Sequence, residues 1–329
     1  MANTVLVTGG AGFIGSHLVE ELASKGYHVV VIDNLSLGKV ENLKEIMARY
    51  SNSVEFVRGD VRDADLIFNI IRDKEVEAIF HQAAASSAPM FTPDPRRGVE
   101  ANILGFLNIL EAARRFDINK VIYASTSSIY NIHEPPHKED MNVFPRTFYE
   151  YSLWMRELAA KIYWDYYGIE CVGLRYFSIY GPREQHKGRY GNVISQFIWA
   201  MLRGDRPVIF GDGSQTRDFT FVKDAVRANI LALERKGLKA EVFNVGTGRE
   251  TSFNEIVSII NQVLGTNIEP KYVDNPIKNY VYRTCADTSK AEKLLGFRAE
   301  TDLLTGVRIT AEYYKKLYEK DPSLIPRTM

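Results

Sequence analysis

The chain has 329 residues, and its 41 basic and 41 acidic side chains give it a formal net charge of zero. This balance provides no overall field to recruit nucleic acid or an anionic membrane, and no apolar run approaches the length of a membrane span. Cys171 and Cys285 have no metal-ligand spacing, and no secretory signal is visible ahead of the first apolar segment. We therefore expect free thiols, a cytoplasmic location, and neither nucleic acid nor membrane as a partner.

Apolar segments that are typical of buried strands alternate with helical patterns through the first half of the chain. The predicted strands are Val5–Thr8, His28–Ile32, Val54–Val57, Ala78–His81, Lys120–Ala124 and Glu170–Tyr176. The predicted helices are Ile14–Ser24, Val40–Tyr50, Ala64–Arg72, Gly98–Phe116 and Tyr149–Tyr167. Val- and Ile-rich strands separated by helices indicate a parallel α/β sheet that is covered on both faces.

The pattern loosens after residue 176, and no Pro-, Gly- or Ser-rich linker marks the change. The helices predicted there are Val193–Arg203, Lys223–Arg235, Ser252–Leu264, Ser289–Leu295 and Leu303–Tyr318, with short strands at Val208–Phe210, Val242–Val245 and Glu269–Tyr272. We predict a sheet domain over residues 1–176, to which parts of 224–246 return, and a smaller α/β lobe over 177–329. A cleft should lie between them, and the tail from residue 321 should be frayed.

The first predicted strand leads directly into glycines at Gly10, Gly12 and Gly15, the spacing G-x-G-x-x-G. Between a strand and a helix, this spacing is typical of a turn that brings a pyrophosphate to the helix N-terminus. Asp33 ends the second strand, where a carboxylate accepts hydrogen bonds from ribose hydroxyls and repels a 2′-phosphate. The motif therefore predicts a dinucleotide site that prefers NAD to NADP.

Polar and small residues end the next three strands, at the edge where open α/β sheets bind their ligands. Asp60 follows the third strand and could bind an adenine amino group or cap the helix that begins near Asp63. Residues 83–85 are alanines that leave room for a flat ligand, and Ser125 and Thr126 end the fifth strand with hydroxyls that could bond a substrate oxygen.

Together these motifs resemble the extended short-chain dehydrogenase/reductase family, and within it the nucleotide-sugar epimerases, over nearly the whole chain. The residues that carry the resemblance are residues 8–15, Asp33, Asn34, residues 59–61, residues 81–84, Asn102, Ser125, Thr126, Tyr149, residues 174–177, residues 180–183, residues 211–213, residues 215–219, Ala286 and Asp287. The resemblance implies a Rossmann-type doubly wound parallel sheet and a C-terminal lobe that binds the nucleotide sugar. It implies that NAD is held by Gly9, Gly12, Phe13, Ile14, Gly15, Asp33, Asn34, Asp60, Val61, Ala83, Ala84, Asn102, Ser125, Tyr149 and Tyr176.

The resemblance also implies that Tyr149 is the acid/base and that Thr126 bonds the sugar 4-hydroxyl. The family usually has a lysine four residues after this tyrosine, and here the position is Leu153. A tyrosine titrates near pH 10 in water, so a missing ammonium should leave the base ionised only at higher pH. Three alternatives stay open: NAD+ lowers the tyrosine pKa, either alone or with help from Arg156; the leucine is a substitution that traps a complex; or the chain binds without redox chemistry.

Substrate contacts are likewise implied by the resemblance. Arg217 matches an arginine that clamps the substrate diphosphate, and a second phosphate contact falls on Arg283 or Lys278. Further substrate contacts are expected at Ser178, Asn192 and Thr284. Gln185 stands where glucuronate-specific relatives tend to have an arginine, which argues mildly against a uronate. The histidines show no ligand spacing, and no metal is expected.

The activity implied is NAD-dependent epimerisation at C4 of a UDP-sugar, either UDP-glucose/UDP-galactose or the N-acetyl forms. Ser127 and Ser128 stand where dehydratases and decarboxylases of the family carry acids, so no extra acid/base is present. The alternatives are another nucleotide-sugar enzyme, such as a 2-epimerase or a reductase, and a non-catalytic NAD-binding protein. The family habit of pairing through two helices, here 98–116 and 149–167, predicts a homodimer.

Overall fold

A computed structural model describes residues 3–277 and 280–327, and its centre is a seven-stranded, wholly parallel sheet. The strands of this sheet are β1 (Thr4–Thr8), β2 (His28–Asp33), β3 (Val54–Arg58), β4 (Ala78–His81), β5 (Lys120–Thr126), β6 (Glu170–Tyr176) and β11 (Val242–Val245). Their order across the sheet is β11-β6-β5-β4-β1-β2-β3. The order reverses at β1, so successive crossovers lie on opposite faces and the sheet is doubly wound.

Short strands outside this sheet form three two-stranded pairs in the C-terminal half. They are β7 (Ile179–Tyr180), β8 (Val208–Phe210), β9 (Thr216–Arg217), β10 (Thr220–Phe221), β12 (Thr251–Ser252) and β13 (Lys271–Val273). The α-helices are α1 (Phe13–Ser24), α2 (Glu41–Arg49), α3 (Ala64–Asp73), α4 (Pro95–Val99), α5 (Gly105–Arg115), α6 (Phe148–Tyr167), α7 (Val193–Leu202), α8 (Val222–Glu234), α9 (Phe253–Leu264) and α10 (Leu303–Lys320).

Both faces of the sheet are buried, as the continuous apolar strands predict. In β2, Val29 and Val31 belong to the core on the side of α1 and α8. Val30 and Ile32 point the other way, into the core that α3 and α5 cover. Because side chains alternate along a strand, a run without polar residues is stable only between two layers of helices.

The chain leaves the sheet after β6 and returns to it with β11, which pairs in parallel with β6. The helix α8 that precedes this return packs against α1, on the same face of the sheet. The remaining elements of the C-terminal half, chiefly α7, α9 and α10, pack on one another as a second lobe. Sheet and lobe share one continuous apolar core, from Val5 in β1 to Tyr314 in α10.

Two predicted helices differ from the structure in detail. The helix expected over 98–116 is α4 and α5 joined by a π-helical segment, Glu100–Leu104. The segment expected as a helix over 289–295 is helical throughout, but Ala291–Leu295 is π-helical and ends at a left-handed Gly296. Such wide turns depend on packing rather than on local propensity, so sequence periodicity does not report them.

The tail is not frayed over its described part, because Ile325 is buried and its carbonyl accepts a hydrogen bond from Arg203. Among residues 3–277 and 280–327, no helix is both long and apolar enough to cross a bilayer. In the same ranges, no three side chains of His, Cys, Asp or Glu meet in a group that could hold a metal ion.

Candidate active site

A cavity of about 870 Å³ lies along the carboxyl edge of the sheet, between the sheet and the second lobe. Its walls combine the glycine turn after β1, the ends of β2 to β6, and residues of the lobe from Ser178 to Asn192. A space of this volume is at the upper end for small-molecule sites. Its lining reaches from the glycine turn to the lobe, so one cavity joins the predicted dinucleotide site to the residues predicted to contact the substrate.

The glycine turn brings its backbone against the end of β4. Gly9 has a φ of +70°, and a Cβ there would lie 2.7 Å from the nitrogen of Ala83. A Cβ on Gly15 would lie 2.2 Å from the carbonyl oxygen of Gly9. Helix α1 then begins at Phe13 without a side-chain cap and without an acidic residue in its first turn. Its free N–H groups and positive dipole end suit the pyrophosphate that the motif predicts.

Asp33 ends β2 inside the cavity wall, and its carboxylate is oriented by the turn. One oxygen accepts from the backbone nitrogen of Ala11 at 3.1 Å and the other from that of Leu35 at 2.8 Å. Burial raises the pKa of Asp33, and these two backbone hydrogen bonds oppose the rise. A fixed carboxylate at this point fits the ribose of NAD and disfavours the extra phosphate of NADP.

The Asp33→Ala variant is expected to weaken NAD binding by about 1–3 kcal/mol, because it removes a charge-assisted hydrogen-bond acceptor. Asp33→Asn is the matched control, since its amide oxygen can still accept from Ala11 while the charge is gone. Titration of NAD and NADP into cofactor-stripped protein measures both effects. Wild-type protein that binds NADP as tightly as NAD would contradict the role of Asp33.

Asp60 lies in the same wall, held in place by its neighbours. Arg62 donates to both of its oxygens, at 3.0 and 2.9 Å, and the amide of Asn34 donates to one of them at 2.9 Å. The hydrogen bonds from Arg62 hold the pKa of Asp60 well below its usual range. Asp63, not Asp60, caps α3. Asp60 is therefore available to the cavity, which Val61 also lines.

The ends of β4 and β6 complete the cofactor side of the cavity. Ala83 and Ala84 line it directly, as does Tyr176, whose hydroxyl lies 3.1 Å from Gln82 Oε1. Asn102 does not line it, since this fully buried residue bonds the backbone of Ala85 at 2.8 Å. Asn102 thus supports the loop beneath the site.

Thr126 and Tyr149 meet at the end of β5. Their hydroxyls share a hydrogen bond, and Thr126 Oγ1 also accepts from the nitrogen of Ser128 at 3.1 Å. Burial raises the pKa of Tyr149, while the bond with Thr126 and the charge of Arg156 lower it. An ionisable phenol with a fixed partner in a cavity has the geometry of a general acid/base. Neighbouring Ser125 lines the cavity and donates to Glu157 at 2.5 Å.

Leu153, one turn along α6 from Tyr149, is buried and lines the cavity. An apolar side chain therefore lies where the family usually has the ammonium group of a lysine. Arg156, one turn further, is fully buried behind the wall rather than in it. Any positive charge that α6 contributes to Tyr149 therefore acts through the wall.

Arg217 lines the cavity from the lobe and forms no ion pair with the described residues. Its guanidinium bonds the carbonyl of Thr216 at 2.7 Å and packs on the rings of Phe253 and Tyr280, at 5.6 and 5.3 Å. Asp218 next to it points away, accepting from Thr247, Gly248 and Ala286. A guanidinium with no carboxylate partner here suits a diphosphate.

Ser178, Asn192 and Thr284 all line the cavity, as does Arg217, but Arg283 does not. Arg283 is half exposed and pairs with Glu250 at 2.7 Å and with Glu134 at 3.1 Å. The structure therefore does not place Arg283 on the substrate. The other candidate for the second phosphate contact, Lys278, lies outside the described residues.

Some cavity residues have no sequence signal of their own. Tyr280, Lys187 and Tyr190 line the lobe side, and Ser87 has a buried hydroxyl without a hydrogen-bond partner among the described residues. They lie in irregular segments, where neither periodicity nor spacing singles out a residue. For Lys187 the only available signal is its place shortly after the Gly-Pro-Arg motif.

Comparison with known proteins agrees with this geometry. Residues 5–246 match the profile of the NAD dependent epimerase/dehydratase family. A putative UDP-glucose 4-epimerase of Methanocaldococcus jannaschii is 42% identical over 315 residues, which cover 94% of this chain and 98% of that protein. Both chains are thus alike over nearly their whole length.

Two solved structures share the fold and extend the range of sugars. The UDP-glucose 4-epimerase of Thermotoga maritima with UDP-glucose has a TM-score of 0.89 and 36% identity, covering 95% of this chain and 99% of that chain. The UDP-N-acetylglucosamine 4-epimerase of Methanobrevibacter ruminantium, in complex with UDP-N-acetylmuramic acid, also has a TM-score of 0.89 and 36% identity, covering 96% and 100%. These two neighbours, one named for UDP-glucose and one for UDP-N-acetylglucosamine, therefore match this chain equally in TM-score and identity.

Proposed function

This chain belongs to the NAD-dependent epimerase/dehydratase family, and we propose that it inverts C4 of a UDP-sugar through transient oxidation to a 4-keto sugar. The observation that carries the proposal is the hydrogen-bonded pair of Tyr149 and Thr126 inside the cavity. UDP-glucose and UDP-galactose are the proposed substrate pair. Their N-acetyl forms are proposed as further substrates.

The proposed reaction gives each of these residues a separate role. NAD, which the glycine turn after β1 and Asp33 would hold, would supply the hydride acceptor for oxidation at C4 and the hydride donor for the reduction that follows. The Tyr149 phenolate takes the proton of the 4-hydroxyl and later gives it back, while the Thr126 hydroxyl holds that oxygen in reach. Arg217 retains the diphosphate, so the keto sugar can rotate and present its opposite face without leaving the cavity. Reduction on the opposite face of the same carbon would then invert the 4-hydroxyl.

The hydroxyl side chains that follow Thr126 favour epimerisation over elimination. Ser127 and Ser128 line the cavity beside it. Neither hydroxyl can serve as a carboxylate acid/base at C5 or C6, which dehydration would require. An epimerase needs only the one acid/base, because oxidation and reduction occur at the same carbon.

The test is turnover of UDP-galactose to UDP-glucose by protein that holds one equivalent of NAD+ or less. Many turnovers per cofactor support an epimerase that recycles its hydride. Stoichiometric reduction of the cofactor favours a dehydrogenase or reductase instead. The buried Leu153 beside Tyr149 favours a non-catalytic NAD-binding protein as the second candidate, and tight NAD binding with no turnover of any UDP-sugar would establish it.

Thr284 is proposed to admit an N-acetyl group, because it is a short side chain in the cavity wall at a position whose size limits the sugar in the family. We expect turnover of UDP-N-acetylglucosamine as well as UDP-glucose. Thr284→Tyr should abolish the first activity and spare the second, since a phenol ring fills the space of the acetyl group. Thr284→Ser is the control and should keep both, and wild-type activity confined to the non-acetylated pair would contradict the proposal.

A homodimer through α5 and α6 is also proposed. Helix α6 exposes Tyr151, Leu158, Ile162 and Tyr166 in one stripe, and Leu104 lies exposed at the neighbouring π-helical segment. An apolar stripe of this kind marks an interaction surface, and the family pairs through these helices. Light scattering should give twice the chain mass, and Leu158→Glu with Ile162→Glu should give monomers. A monomeric wild-type protein would contradict the pairing.

A further inference from the structure

Arg156 is a fully buried guanidinium that is bonded to backbone carbonyls on three different elements. It donates to the carbonyl oxygens of Asn102 at 2.8 Å, Ala83 at 2.9 Å and Ala124 at 3.3 Å. Only 1% of the residue is exposed. Its donors therefore fasten the π-helical segment, the end of β4 and strand β5 to helix α6.

The charge of Arg156 has no ionic partner among the residues that the structure describes. The contrast is Arg175, another buried arginine, which forms an ion pair with Glu157 at 2.7 Å. Carbonyl dipoles solvate the Arg156 guanidinium but do not cancel its charge. In a poorly polarisable interior, an uncompensated cation acts over longer distances than it would in water.

Arg156 and Tyr149 lie seven residues apart on α6, two helical turns along the same face. Two of the carbonyl-bearing residues that Arg156 binds, Ala83 and Ala124, line the cavity, so its charge lies directly behind the wall that Tyr149 faces. We propose that Arg156 is a positioning residue whose buried charge favours the phenolate form of Tyr149. This inference deepens the proposed function and rests on it for its role in turnover.

The other titratable groups around the pair do not duplicate this effect. Glu150 on α6 opposes it, since its negative charge raises the pKa of Tyr149. His81 on β4 is buried, and burial together with the Arg156 charge holds its pKa well below its usual range, so the ring is neutral. Tyr123 on β5 is likewise neutral, because burial raises its pKa well above 10.0. Among the described residues, Arg156 is thus the charge that favours the Tyr149 phenolate, and it acts from behind the cavity wall.

The experiment follows the ionisation of Tyr149 directly, by ultraviolet difference titration of each variant against the same variant carrying Tyr149→Phe. Arg156→Met removes the charge, Arg156→Gln removes it but keeps amide donors, and Arg156→Lys keeps it. Lys161→Met removes an exposed charge from the same helix and is the matched control. Both neutral variants should raise the Tyr149 pKa by about one unit, while Arg156→Lys and Lys161→Met should leave it near the wild-type value.

The pH dependence of kcat/KM for a UDP-sugar should shift by the same amount, and thermal melting separates this from a loss of stability. A neutral variant that melts earlier but titrates like wild type would overturn the proposal, as would failure of both neutral variants to fold. A shifted titration in protein that turns over no UDP-sugar would leave the electrostatic role standing and reject the proposed function. The experiment can therefore reject the electrostatic role of Arg156 and the proposed function independently of each other.

Discussion

Tyr149→Phe is expected to lower UDP-sugar turnover by about 10³-fold or more while leaving NAD bound. The substitution removes the phenolic oxygen that hydrogen-bonds Thr126, and general acid–base catalysis is typically worth about 10²–10⁴-fold. The ring itself keeps its packing against Phe91, whose centroid lies 6.1 Å away. Steady-state kinetics measure the loss of turnover. The NAD content of the purified variant shows whether the cofactor is still bound.

The matched control for this change is Tyr151→Phe. Tyr151 lies two residues away, but 41% of its surface is exposed on the outer side of α6, away from the cavity. Its variant should keep wild-type turnover. If Tyr151→Phe were the slow variant and Tyr149→Phe the fast one, the assignment of the acid/base would be reversed.

Leu153→Lys is expected to accelerate turnover at neutral pH and to move the rising limb of the pH–rate profile to lower pH. Burial raises the pKa of Tyr149, so in the wild type the phenolate required as a base forms only as the pH rises. An ammonium one helical turn away favours the phenolate and lowers that pKa. We expect wild-type turnover to be slow at neutrality and to increase into the alkaline range, with part of the 10²–10⁴-fold general-base effect recovered in the variant.

The deciding measurement is the full pH–rate profile of the wild type compared with that of Leu153→Lys. Leu153→Met is the control, because it keeps an apolar side chain of similar volume and should reproduce the wild-type profile. A wild-type profile that is already fast and flat through neutrality, with no gain from lysine, would show that another group has taken over the role of the missing charge.

Most of the sheet could be predicted because its signals are local. Each strand is a short apolar run, and each glycine or polar residue that ends a run lies in sequence beside the strand it follows. The π-helical segment at Glu100–Leu104 could not be predicted in this way. Its wide turn depends on Asn102 bonding Ser152 and the backbone of Ala85, contacts between residues that are far apart in the chain.

The cofactor side of the site follows from the sequence better than the substrate side. Asp33 ends β2 and Asp60 follows β3, and the carboxyl ends of parallel strands meet at one edge of the sheet. The prediction of Arg283 as a phosphate contact shows the limit of the sequence. No residue near Arg283 in the chain indicates that Glu250 and Glu134 pair with it. The lobe residues proposed to contact the substrate lie in loops and very short elements, whose placement is set by tertiary packing.

The late return of β11 to the edge of the sheet has a consequence for how the molecule is made. Until Val242–Val245 has emerged from the ribosome, β6 presents an unpaired edge, which is a template for pairing with other chains. Residues 177–241, which include α7 and α8, are synthesised between these two strands, so the edge of β6 stays unpaired while they are made. Closing such a long loop is slow compared with local helix formation. A fragment that stops at residue 176 would keep this edge permanently, and the two lobes are therefore better regarded as one folding unit.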